Sequence, residues 1–127
     1  MAKYVDGFVL LVPKKNLDAY KKMATLGKKI WLKHGALDYK ECVGDDLHPN
    51  MGPEAKAMKA WSFPAMTKQK DDEVILFSFI VYRSKAHRDA VNAKVMKDPA
   101  MKPEDVKDMP FEMKRMAFGG FNVLVDA

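Results

Sequence analysis

The ten residues Glu73–Tyr82, EVILFSFIVY, constrain the fold of this chain more than any other stretch. They form its longest apolar run and are rich in β-branched and aromatic side chains. The run is too short to cross a membrane as a helix. It predicts a strand buried on both faces. By alternation, Val74, Leu76, Ile80 and Tyr82 share one face, and Ile75, Phe77, Phe79 and Val81 share the other. The remaining segments are read by how they cover those two faces.

Residues 4–12, YVDGFVLLV, predict a first strand with Phe8, Leu10 and Val12 on one side and Val9 and Leu11 on the other. Gly7 allows a close backbone approach or a bulge. Residues 14–34 predict an amphipathic helix. Leu17, Tyr20, Ala24, Gly27, Trp31 and His34 recur at spacings of three and four, beside Met23 and Ile30. Asn16 suits its N-cap and Gly35 its stop. Residues 36–44 predict a second strand, polar enough for an edge position. A long connection, 45–72, follows. Within it 53–61 can form a short helix starting on Pro53, and the apolar Trp61, Phe63, Pro64 and Met66 argue against disorder. Ser84 predicts the cap of a second long helix that runs to about Lys97, where Asp98-Pro99 stops it. Residues 103–110 form a polar connection with room for one helical turn. Residues 111–125 predict the last strand region, with Gly119-Gly120 as a bulge.

The order strand, helix, strand, strand, helix, strand predicts an α+β domain of ferredoxin-like βαββαβ type with an antiparallel sheet, one domain over 1–127 with an insertion at about 45–72. Its first and third strands are central. Helices cover only one face of such a sheet, yet the run 73–82 is apolar on both. A second copy of the same sheet is the simplest cover, which predicts a homodimer. The long connection is the alternative cover.

With 127 residues, 48% hydrophobic and 31% charged, the chain can bury a core of its own. No segment reads as a signal peptide or a membrane span. The single Cys42 agrees with a reducing compartment, so cytoplasmic placement without a membrane is the expectation. The net charge is +5, but lysines run from end to end and the only arginines are Arg83, Arg88 and Arg115. A solvated basic surface is therefore preferred to a nucleic-acid footprint.

Several blocks resemble the bacterial YbaA-like family of unknown function, DUF1428. They are Tyr4-Val5-Asp6-Gly7-Phe8, Glu41-Cys42 with Gly44-Asp45-Asp46, and the series Ser84-Lys85, Arg88-Asp89, Asn92, Lys94, Met96, Asp98-Pro99 and Met101. Pro110-Phe111, Met113 to Met116, Gly119-Gly120-Phe121 and Val125-Asp126 complete the pattern, which covers nearly the whole chain. The resemblance implies the dimeric α+β barrel architecture, in which two ferredoxin-like sheets pack face to face. It implies no established activity. The wider superfamily holds cofactor-free monooxygenases, haem proteins and stress-response modules, so the fold alone selects none of them.

Candidate chemistry is sparse. Cys42 is a nucleophile or soft metal ligand in one reading and a small buried hydrophobe in the preferred one. Asp45, Asp46 and His48 can hold a divalent cation, but turn chemistry beside Gly44 and Pro49 accounts for them more simply. On the second long helix, an inward Arg88 and Asn92 can orient an anionic or carbonyl-bearing ligand; intrahelical pairing is the plainer reading. Trp61, Tyr82 and Arg115 supply aromatic surface, a hydroxyl and a fixed charge for a small-molecule cavity, against a plainer role in core and surface. There is no P-loop, GxGxxG, CxxC, GxSxG or zinc-finger spacing, so no cofactor or metal is expected. The ligand-binding candidates are thus Trp61, Tyr82, Arg88, Asn92 and Arg115, with residues 61–66 as a lid. The functional expectation is a small-molecule-binding protein or cofactor-free enzyme. The alternatives are a module for RNA or an acidic partner, on the Lys-rich first helix, and a regulatory dimer without chemistry.

Overall fold

The computed structural model describes residues 2–48, 52–54, 59–101 and 109–127. Strand β1 (Tyr4–Pro13) leads through a 3₁₀ turn, Lys14–Asn16, into helix α1 (Leu17–Lys33). Strand β2 (Asp38–Val43), the short helix α2 (Phe63–Thr67), strand β3 (Glu73–Tyr82), helix α3 (Lys85–Met96) and strand β4 (Ala117–Asn122) follow. The fold is α+β: one four-stranded antiparallel sheet in the order β2-β3-β1-β4, with helices.

The two most apolar strands lie at the centre. β1 and β3 pair along their whole length, from Tyr4 opposite Tyr82 to Pro13 opposite Glu73. The more polar β2 takes one edge, where half its backbone groups need no partner strand. Under the helices, Leu10, Val12 and Leu76 pack with Tyr20 and Ala24 of α1. Tyr4, Ile80 and Tyr82 pack with Ile30, Val91 and Val95. Phe8 touches both groups and joins them. The other face carries Val5, Val9, Phe77, Phe79, Val81 and Phe121, none of them buried, and Phe77 and Phe121 are exposed. Toward one end of that face Leu11 and Ile75 are buried.

Local sequence explains the helix ends, with one correction. Ser84 accepts from the His87 amide at 3.1 Å, and Gly35 takes a left-handed φ of +113° where α1 stops. Asn16 precedes α1 but does not cap it. The 3₁₀ turn leaves it at φ −101° and ψ 3°, outside the extended conformation a cap needs, and its Nδ2 donates instead to the Pro110 carbonyl at 3.1 Å.

Two further expectations are revised. Gly119 and Gly120 pair in unbroken register with Gly7 and Asp6, so β4 has no bulge there, and Gly7 makes none either. Gly120 is instead required by Tyr4, whose hydroxyl oxygen lies only 2.1 Å from where a Cβ would stand. The last strand is shorter than 111–125, because the 3₁₀ turn Met113–Arg115 precedes it. The long connection also holds a helix outside the expected span, Phe63–Thr67, capped by Ser62 Oγ accepting from the Ala65 amide with Pro64 in its first turn. Of the helix expected over 53–61, Pro53 and Glu54 are helical, 59–61 are not, and 55–58 lie outside the described residues, as does most of 103–110.

Candidate functional site

Polar side chains meet where α3 crosses the central strands. Asp6 of β1 and Tyr82 of β3 sit on the helix-covered face, and both are buried. Arg88 and Asn92 lie one turn apart on α3 and so point to the same side. Arg88 Nη1 donates to Asp6 Oδ1 at 2.7 Å, and its Nε donates to Asp89 Oδ1 at 2.8 Å. The guanidinium carbon stands 4.9 Å from the centre of the Tyr4 ring, within cation–π range. Asn92 Oδ1 accepts from Trp31 Nε1 at 3.1 Å and, at the long distance of 3.4 Å, from the Tyr82 hydroxyl. Helix α3 is thereby tied to both central strands and to α1.

Burial controls the electrostatics of this cluster. It raises the Asp6 carboxyl above the ordinary range, although Arg88, Tyr82 and Asn92 all favour the carboxylate. Burial and the Asp6 charge together push the Tyr82 phenol well up, so it stays protonated. For Arg88 burial opposes the charge, but Asp89 and Asp6 outweigh it and the guanidinium is held more firmly protonated. His87 borders the cluster, edge-on to Tyr82, with ring centres 6.0 Å apart. Its Nδ1 accepts from the Arg83 amide at 3.0 Å, which places any ring proton of the neutral form on Nε2. Burial, then Arg83 and Lys94, lower its pKa.

A second buried polar group lies nearby. The hydroxyls of Tyr20 and Tyr39 both donate to Glu41, at 2.8 and 2.9 Å, and burial with that carboxylate raises both phenols. The Tyr39 ring sits 6.4 Å from Trp31. A band of satisfied polar groups therefore runs between sheet and helices. Among the described residues it leaves no buried side-chain donor or acceptor unpaired.

Of the sequence candidates, Tyr82, Arg88 and Asn92 come together; Trp61 and Arg115 do not join them. Trp61 is 84% exposed, in the connection before α2. Arg115 lies at the opposite end of β3, where it makes a two-pronged pair with the buried Glu73 and donates to the Lys68 carbonyl at 3.1 Å. At about 3.3 Å per strand residue, Glu73 and Tyr82 are roughly 30 Å apart. Arg115 instead borders a separate cleft of about 220 Å³, with Leu11, Asn16, Glu73, Pro110 and Phe111. Cys42 is exposed rather than buried, because it stands opposite Phe77 on the uncovered face. Among the described residues no three His, Cys, Asp or Glu side chains gather as metal ligands.

Tyr4, Asp6 and Trp31 were absent from the candidates read from sequence. Asp6 had a signal. It alternates with Phe8, Leu10 and Val12, which puts an acid on an apolar face.

A sequence model described as "Protein of unknown function (DUF1428)" matches residues 3–113. The chain belongs to the DUF1428 family. It is 42% identical over 124 residues to the uncharacterized protein YbaA of Escherichia coli K12, covering 98% of each chain, and likewise to YbaA of Shigella flexneri. The DUF1428 match takes in Tyr4, Asp6, Trp31, Tyr82, Arg88 and Asn92, whereas Arg115 and β4 lie beyond its end.

The cluster can bind and orient. Asp89 and Asp6 occupy the Arg88 Nε and Nη1, while Nη2 carries no hydrogen bond among the described residues. It is a donor for a carboxylate or carbonyl oxygen. Around it stand a carboxyl with a raised pKa and a phenol.

Proposed function

We propose that the protein is a homodimer that binds a small anionic or carbonyl-bearing molecule at Arg88, with Asn92 and Tyr82 fixing the surrounding geometry. The observation that carries the binding site is the Arg88 guanidinium, anchored by Asp6 and Asp89 with one nitrogen left to donate. A half-buried charge held by two carboxylates is pre-organised to receive a ligand oxygen.

The dimer rests on the uncovered sheet face. Val5, Val9, Phe77, Phe79, Val81 and Phe121 form a contiguous apolar surface across three strands. A monomer would leave that surface in water. The strand order β2-β3-β1-β4 supports a ferredoxin-like reading, a single domain with an insertion over 45–72. Two such sheets face to face would form a dimeric α+β barrel. The lone Cys42 supports cytoplasmic placement.

A thermal-shift screen of small carboxylic acids and ketones tests the site. A subset should raise Tm of the wild-type protein and fail to do so with Arg88→Lys, which keeps the charge but loses the planar fork. If no compound shifts Tm, or the shifts survive in the variant, the Arg88 site is wrong.

A further inference from the structure

Residues 14–33 carry seven lysines and one acid, Asp18, a local balance of +6. The whole chain carries +5, so everything outside this stretch sums to −1. The basic character of the protein thus belongs to one stretch, although lysines occur throughout the sequence.

The fold turns this stretch outward. Tyr20, Ala24 and Ile30 of α1 are buried against the sheet, and Lys14, Lys15, Lys21, Lys22, Lys28, Lys29 and Lys33 are all exposed. Lys33 pairs with Asp98, while the other six enter no ion pair among the described residues. They come as three doublets seven residues apart: Lys14-Lys15 in the 3₁₀ turn that leads into α1, and Lys21-Lys22 and Lys28-Lys29 two helical turns apart on α1, about 10.5 Å along its axis. The two doublets on α1 therefore form a row of positive charge along one side of the helix, and the third stands just before its N-terminal end. This row lies on the helical layer, away from the open sheet face, so it stays accessible whether or not two sheets pair.

We propose that the outer face of α1 is a docking surface for the phosphodiester backbone of nucleic acid, bound without regard to base sequence. Unpaired lysines repeating along a rigid helix complement a repeating line of phosphates, and the gain is counterion release. The outer face exposes no aromatic side chain on which a base could stack, so only the backbone is engaged. A lipid surface fits less well. The apolar side of α1 is used by the sheet, and the exposed Leu26 and Leu32, six residues apart, point about 120° apart around the helix and form no apolar stripe. An acidic protein also fits less well, because protein interfaces are depleted in lysine and need an anchor that this face lacks.

Fluorescence anisotropy with the full chain tests the proposal, using labelled single-stranded RNA, single-stranded DNA and duplex DNA of about 20 nucleotides per strand. Binding should weaken steeply between about 50 and 200 mM salt, with a log–log slope approaching −5 on duplex if six lysines each meet a phosphate. The variant K21Q/K22Q/K28Q/K29Q should lose about 3 to 4 of that slope while keeping its Tm. Independently of any variant, these lysines in the wild-type protein should be protected from chemical acetylation by duplex DNA. No complex at 50 mM salt with protein at tens of micromolar, an unchanged slope in the variant, or absence of protection would overturn the proposal. So would tighter binding to poly-glutamate or to phosphatidylserine vesicles than to nucleic acid.

Discussion

Replacing Gly120 with Ala probes the packing behind the Arg88 cluster. A Cβ at this position would stand 2.1 Å from the Tyr4 hydroxyl oxygen and 2.6 Å from the Cε2 and Cζ carbons of its ring. Carbon contacts are comfortable at about 3.5–4.0 Å, so the ring must retreat by roughly 1 Å. Tyr4 is buried among Ile30, Ile80, Tyr82 and Val91, with Arg88 over its ring, and has little room. Overpacking of this kind costs about 1–3 kcal/mol, and weakening the cation–π contact adds about 0.5–1 kcal/mol. Against this, Gly120 has no left-handed φ, so alanine's smaller unfolded-state entropy returns about 0.4–1 kcal/mol. The net expectation is a destabilisation of about 2 kcal/mol, a fall in Tm of roughly 8 °C at this chain length. Urea unfolding at fixed protein concentration measures it. A double-mutant cycle with Tyr4→Leu should recover at least about 1 kcal/mol, because the shorter side chain vacates the contested space. A Gly120→Ala protein within about 0.5 kcal/mol of wild type, or no coupling to Tyr4, would refute the packing argument.

Trp31→Phe removes the donor to Asn92 and should cost about 1 kcal/mol by chemical denaturation, with the helices still formed by circular dichroism. Asp98 accepts from the Ala100 amide, His34 and Lys33, which together lower its pKa to about 2. A carboxyl depressed from 3.8 contributes stability in full above about pH 4 and loses it as pH falls toward 2. Urea midpoints between pH 5 and 2 should therefore fall less steeply for Asp98→Asn than for wild type, and parallel curves would contradict the assignment.

The parts of the fold legible in the sequence are those set by local periodicity. The alternation in 73–82 and 4–12 placed two strands at the sheet centre, and the three-and-four spacing from Leu17 to His34 placed α1. Gly35 and Ser84 were readable because a left-handed stop and a hydroxyl cap are decided within a few residues. Gly120 was misread because its reason is Tyr4, more than a hundred residues away in the chain. Asn16 was misread because the preceding 3₁₀ turn, not the residue type, sets its backbone.

The site divides in the same way. Arg88 and Asn92 share a side of α3 by spacing alone, and Tyr82 is the last residue of β3. That these three meet Asp6, while Arg115 pairs with Glu73 at the other end of the strand, depends on strand register. Trp61 stands in a connection with no period to orient it. Cys42 was expected to be buried because free cysteines usually are, but its alternation with Tyr39 and Glu41 puts it on the uncovered face.

Sedimentation equilibrium of the wild-type chain tests most directly whether a second copy covers that open face. The prediction is a species of twice 14.4 kDa at micromolar concentration that Phe77→Glu, opposite Cys42 on the open face, converts to a folded monomer. A wild-type protein that remains a 14.4 kDa monomer at that concentration would contradict it.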